Sequence, residues 1–158
     1  MAAEVSLLFV CMGNICRSPT AHGVMRKLLQ DESVAHHFLL DSAGTHAYHV
    51  DEPPDSRAQA AARKRNIDIS DLRARAVELA DYHDYDHILA MDEDNLARLE
   101  RMQPAGSKAR LALMLSYAPE WDNDEVPDPY YGGSEGFETV LDMLEAASKG
   151  LLASLSKD

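Results

Sequence analysis

Apolar and polar positions run along the chain in blocks of two kinds. Val5-Ser6-Leu7-Leu8-Phe9-Val10 is a short, mostly apolar run with β-branched residues, the pattern of a strand covered on both faces. Ser18-Pro19 follows as a helix start, a side-chain cap and then a residue suited to the first turn. From there Ala21, Val24, Met25, Leu28 and Leu29 recur at helical spacing to about Gln30. Phe38 to Ser42 predicts a second strand, Ala43 to Asp55 a loop, and the Ala- and Arg-rich Ser56 to Asn66 a helix. Asp86 to Met91 predicts a third strand, Asp92 to Met102 a helix, and Arg110 to Met114 a fourth strand. Tyr117 to Gly136 is irregular and punctuated by proline and glycine, and loops of that length are usually functional or disordered. Glu138 to Leu155 reads as a last amphipathic helix.

Strands alternating with helices imply an α/β fold. The expectation is a three-layer sandwich with a small four-stranded parallel sheet and helices on both faces, forming one domain over residues 1–158. In such sheets ligands bind beyond the carboxyl ends of the strands, where Cys11 to Ser18 falls.

Composition narrows the function classes. The 158 residues are 46% hydrophobic and 27% charged, an ordinary globular balance. Lys and Arg number 15 against 27 Asp and Glu, a formal charge of -12, which speaks against a nucleic-acid partner. No apolar run is long enough to insert in a membrane, and the start lacks the features of a secretory signal, so a cytoplasmic protein is expected. The two cysteines, Cys11 and Cys16, are too few for a disulfide framework. A structural zinc site would need two more ligands at suitable spacing, and the seven histidines offer no such pattern; no metal and no cofactor are expected.

The segment Cys11-Met12-Gly13-Asn14-Ile15-Cys16-Arg17 joins a strand end to a helix start. A helix N-terminus offers unpaired N–H groups and the positive end of a dipole, which suits a phosphate-sized dianion. Gly13 and Asn14 accept left-handed backbone geometry, so successive amides can curl into an anion nest. The same amides favour a thiolate at Cys11, and Arg17 adds a fork able to grip two phosphate oxygens. The G-x-x-x-x-G-K-[ST] pattern of a nucleotide loop is missing.

Cys11 to Pro19 resembles the phosphate-binding loop of the low-molecular-weight protein tyrosine phosphatases at nine consecutive positions. Asp128-Pro129-Tyr130-Tyr131-Gly132 is similar to that family's general-acid loop, and Asp41 to Thr45 and Ala90-Met91-Asp92 also resemble family stretches. The resemblance implies Cys11 as nucleophile, Arg17 and the loop amides (Met12 to Cys16) as phosphate ligands, and Asp128 as general acid and then base. It leaves Ser18 as a helix cap, a hydroxyl stabilising the Cys11 thiolate, or both. It assigns Asn14 to holding the loop, with Ser42 as a partner. Cys16 either packs behind the loop or serves as redox partner of Cys11. Where the family often has a loop-supporting His, this chain has Leu72.

Tyr48, Tyr130 and Tyr131 are candidates for the rim, either as packing residues or as walls of an aromatic slot, with Met12 and Ile15 as its apolar lining. The His-rich segment His46 to His49, with Asp51 and Glu52, is expected to be a solvated loop, with tuning of the rim's specificity as the alternative. The implied partner is a phosphotyrosine protein, with tyrosine kinases among those the resemblance suggests. An arsenate reductase would need resolving cysteines downstream of Cys16, and none follows. A non-catalytic phosphate-binding module would need neither Cys11 nor Asp128, while a small-molecule acid phosphatase stays open as a side activity.

Overall fold

The computed structural model describes residues 5–130 and 132–155. Its main elements are β1 (Val5–Cys11), α1 (Arg17–Asp31), β2 (Phe38–Gly44), α2 (Ser56–Arg63), α3 (Asp81–Asp84), β3 (His87–Ala90), α4 (Glu93–Met102), β4 (Arg110–Leu113) and α5 (Ser134–Leu155). The four strands form one parallel sheet in the order β2-β1-β3-β4. Among the described residues, no helix is long and apolar enough to cross a membrane.

The apolar run of β1 is continuous because both its faces are covered. Leu7, Phe9 and Cys11 point into one cluster with Val24 and Met25 of α1, Ala58 of α2 and Leu144 of α5. Leu8 and Val10 point the other way, onto Tyr82 of α3 and Leu99 of α4. Helices therefore cover both faces, as the strand–helix alternation implied. Each fully buried Leu or Phe in these layers contributes about 2 kcal/mol.

Chain order and sheet order together place the site. From β1 the chain moves to one neighbour, β2, and later crosses to the other, β3, so a crevice opens beyond the carboxyl end of β1. Cys11 is the last residue of that strand, paired with Gly44.

Element ends differ from the sequence pattern where tertiary contacts decide. β2 runs on to Gly44, which also bridges to Ala76. A Cβ on Gly44 would sit 2.8 Å from the Met12 carbonyl, so only glycine permits this approach to the loop. The second helix stops at Arg63, short of Asn66, because the Ile67 N–H bonds the Ala62 carbonyl and Asn66 takes φ 64°, a left-handed helix ending. The last helix begins at Ser134, ahead of Glu138, despite the glycines around it. Gly136 in its first turn lets Pro129 come close; a Cβ there would lie 3.4 Å from that of Pro129.

Candidate active site

The loop after β1 is pinned from outside. The Cys11, Met12 and Ile15 carbonyls accept the N–H groups of Thr45, His46 and Asp55 at 2.9, 3.0 and 2.8 Å. In planar trans peptides this turns the N–H of Met12, Gly13 and Cys16 the opposite way, toward the cavity these residues line. Asn14 takes φ 60°, the left-handed conformation its residue type allowed.

Behind the loop, side chains form an ordered chain of hydrogen bonds. The Arg75 backbone N–H donates to Asn14 Oδ1 at 3.0 Å, and Asn14 Nδ2 donates to Ser18 Oγ at 2.7 Å. Ser18 Oγ thus accepts a hydrogen bond from Asn14 and lies 3.0 Å from Cys11 Sγ, with the Ala43 carbonyl at 3.4 Å; once Cys11 is a thiolate, the hydroxyl is the donor of that pair. The Asn14 N–H also donates to Cys11 Sγ at 3.3 Å. Two readings are corrected by this geometry. Helix α1 begins at Arg17 with Cys16 in the cap position and no side-chain cap, so Ser18 is no helix cap; its hydroxyl turns to the thiol. Ser42 is buried but makes no hydrogen bond to Asn14, whose side chain goes to Ser18 and Arg75. Leu72 packs half-buried against the α1 side of the core. The backbone partner of the Asn14 side chain is Arg75.

Arg75 itself is held in place. Its guanidinium donates to Asp41 of β2 at 3.0 Å and to both oxygens of Asp81 at 3.0 and 3.1 Å. Burial works against its charge, but Asp81 and Asp41 hold it well above the usual value.

Arg17 is buried at the foot of α1. Its Nη1 donates to Asp92 Oδ2 at 2.6 Å and to the Val126 carbonyl at 3.0 Å, while Nη2 lies 3.8 Å from Asp128 Oδ2. Burial opposes the charge; Cys11, Asp92 and Asp128 outweigh it and hold Arg17 above its usual value. Asp92 also caps α4 through the Asn95 N–H, so one carboxylate fixes both a helix start and the guanidinium. Burial, with Asp55 nearby, pushes the Cys16 thiol up and keeps it protonated.

These groups meet in a cavity of about 170 Å³. Cys11, Met12, Gly13, Ile15, Cys16 and Arg17 form its floor, and Tyr48, His49, Asp128 and Tyr130 its walls. Asn14, Ser18 and Ser42 stand behind it. The His46 to Glu52 loop is not merely solvated: the His49 ring lies over Gly13 with its Nδ1 3.1 Å from Glu52, and His46 stacks on Tyr48 with ring centroids 4.9 Å apart. Tyr131 lies outside the described residues. Among the described residues, no group of three or more His, Cys, Asp or Glu side chains is arranged to hold a metal ion.

Asp92 and Arg75 are neighbours of the site that spacing did not reveal, whereas His49 lies in the segment for which rim tuning is the alternative. Asp92 stands in a stretch similar to the family's, which marked its place but not its bond to Arg17.

The low molecular weight phosphotyrosine protein phosphatase family model matches residues 6–158. The Gallus gallus low molecular weight phosphotyrosine protein phosphatase is 43% identical over 154 residues, covering 96% of each chain. A putative low molecular weight protein-tyrosine-phosphatase of Synechocystis is 42% identical over 155 residues, 98% of each. Among solved structures, a protein tyrosine phosphatase from Entamoeba histolytica superposes with a TM-score of 0.93 at 39% identity, covering 97% of both chains. A Drosophila arginine phosphatase shares the fold with a TM-score of 0.89 at 27% identity over 94% of this chain and 96% of its own. With matches this extensive, the chain belongs to the low molecular weight phosphotyrosine protein phosphatase family.

Proposed function

We propose that residues 1–158 act as one domain that hydrolyses phosphotyrosine on proteins through a phosphocysteine. The observation that carries this reading is the convergence of Cys11, Arg17 and Asp128 on one cavity, with the Ser18 hydroxyl aimed at Cys11 Sγ. Phosphate enters the nest of loop N–H groups, and the Arg17 fork grips its oxygens. Cys11 Sγ attacks phosphorus in line with the phenolic oxygen, the P–O bond breaks, and Asp128 delivers a proton to the departing phenolate. Water then attacks the phosphocysteine, Asp128 takes its proton, and inorganic phosphate leaves. The Ser18 proton stabilises the thiolate released in that step.

Tyr48 and Tyr130 flank the opening and supply faces for a phenyl ring, while Met12 and Ile15 line it with apolar surface. These walls favour an aryl phosphate. We assign the substrate to phosphotyrosine proteins in the cytoplasm, a tyrosine kinase being the partner to test first. Cys16, five positions from Cys11 and lining the same cavity, serves as redox partner. A peroxide oxidises Cys11 to a sulfenic acid, and the Cys16 thiol condenses with it, releasing water and forming a disulfide.

The test is hydrolysis of phosphotyrosine, phosphoserine and phosphoarginine peptides by the parent protein, Cys11→Ser and Asp128→Asn. Turnover is expected for phosphotyrosine and is abolished in Cys11→Ser. Full activity in Cys11→Ser, or a preference for phosphoarginine, overturns the reading. Peroxide inactivation that thiol reverses equally in Cys16→Ser overturns the redox role.

A further inference from the structure

Asp128 is tied into its loop by one of its oxygens. Oδ1 accepts the Tyr130 backbone N–H at 3.0 Å, which leaves Oδ2 on the side of Arg17 and the cavity. The Tyr130 ring, in turn, lies against the Arg57 guanidinium, whose central carbon is 5.3 Å from the ring centroid. The same guanidinium lies 5.0 Å from the centroid of Phe137 in the first turn of α5. Both distances are within cation–π range.

The far edge of the guanidinium is also held. Arg57 Nε and Nη2 each donate to the Asp55 carboxylate at 3.0 Å, and Asp55 Oδ1 accepts the Arg57 backbone N–H at 2.8 Å as the N-cap of α2. The Asp55 N–H donates to the Ile15 carbonyl at 2.8 Å, so this anchor is joined to the phosphate loop itself. Pro129 and Phe137 close a small gap over Cys16, Ala58 and Ala61, seating the Asp128 loop on α2. A continuous set of contacts thus leads from the phosphate loop through Asp55, Arg57 and Tyr130 to Asp128.

We propose that Arg57 is a positioning residue for Asp128: anchored by Asp55, it clamps the Tyr130 ring and thereby sets where the Asp128 carboxylate stands over the cavity. The proposal rests on the acid role given to Asp128 above. An isolated exposed Arg–Asp pair contributes little. Here the pair holds a guanidinium that lies over two aromatic rings, Tyr130 and Phe137, on two other segments. The planar fork does this with little loss of rotamer freedom, and a lysine ammonium has neither the fork nor the plane.

The consequence is selective. A proton donor matters most when the leaving group is basic, whereas phosphate capture depends on the loop amides and Arg17. Loosening the clamp therefore raises the dependence of kcat/KM on leaving-group pKa and leaves inhibition by inorganic phosphate in place.

The experiment measures kcat/KM for a series of aryl phosphates from p-nitrophenyl to phenyl in Arg57→Met, Arg57→Lys, Asp128→Asn and the Arg57→Met/Asp128→Asn double variant. Arg57→Met is expected to lose about tenfold on phenyl phosphate and about twofold on p-nitrophenyl phosphate, a fraction of what a general acid supplies. The inhibition constant of inorganic phosphate stays within about twofold, and Arg57→Lys does not restore the phenyl phosphate rate. In the Asp128→Asn background the Arg57 substitution adds no further leaving-group dependence. Equal losses across the series, or the same extra dependence without Asp128, overturn the clamp. If Asp128→Asn alone leaves the dependence unchanged, the acid role fails and the clamp with it; if only the Arg57 variants do, the clamp alone fails. Asp55→Asn, which keeps a side-chain cap on α2, is the second variant should Arg57→Met unfold; it is expected to move the same slope by about threefold, and no movement overturns the proposal.

Discussion

Replacing Asn14 by alanine tests the construction of the phosphate loop most directly. The substitution removes the acceptor of the Arg75 N–H and the donor to Ser18 Oγ, two buried or half-buried hydrogen bonds worth about 1 kcal/mol each. It also forces a Cβ-bearing residue without a polar side chain to stay at φ 60°, at a further cost of about 1 kcal/mol. The expected loss is about 3 kcal/mol, which in a 158-residue domain lowers Tm by about 6–12 °C. Asn14→Gly loses the same two bonds but is free of the backbone penalty, so it is expected to melt about 2–4 °C above Asn14→Ala. Calorimetry and urea titration in a phosphate-free buffer measure both, since a bound anion would mask part of the loss. The reasoning is refuted if Asn14→Ala melts within 2 °C of the parent, or if the alanine and glycine variants melt together.

Asp92→Ala removes the N-cap of α4 and leaves the buried Arg17 guanidinium without its nearest carboxylate, so urea titration should show a loss of about 3–5 kcal/mol. Asp92→Asn keeps a cap and should recover about 1 kcal/mol of it; identical midpoints for the two variants would remove the capping role. Gly150→Ala would ordinarily stabilise a helix by about 1 kcal/mol, yet here the new Cβ meets the Tyr117 carbonyl, and a loss of about 3 kcal/mol is expected; a raised Tm refutes that packing. His22 is buried with Nδ1 unpartnered, and burial, with Arg26 beside it, pulls its pKa down to about 4 from 6.5. The unfolded chain therefore binds this proton first: the contribution is intact above pH 6.5 and falls by on the order of 3 kcal/mol as the pH approaches 4. His22→Gln should flatten that part of the stability–pH curve relative to the parent, and parallel curves would exclude His22 as the cause.

Much of this was legible in the chain because it depends on local chemistry. The run from Val5 to Val10 could only be a two-sided strand, and Cys11 to Arg17 had to join it to a helix start. Asn14 announced the loop's left-handed turn, whereas Gly13, expected to share that geometry, does not take a positive φ. The bonds behind the loop were less readable. Ser18 next to Pro19 has the local signature of a cap, and the contact with Cys11 Sγ that displaced this reading exists only once the loop has closed. Ser42 stood near the right place, but a backbone N–H from Arg75, 61 positions away from Asn14, took the bond.

Sequence alone carried the strand–helix alternation and an anion loop with Cys11 and Arg17 in it, because these follow from residue type and short spacing; the Asp128 loop was singled out by family resemblance. Tertiary structure decided which carboxylate holds Arg17, what supports Asn14, that His49 lines the cavity, and that Arg57 lies over the Tyr130 ring. Asp92, Arg75, His49 and Arg57 sit on four different stretches that meet only because the parallel sheet brings their loops to one edge. A bond between positions 17 and 92 has no periodicity to betray it; it is set by the crossing from β1 to β3, and only the folded sheet records that crossing.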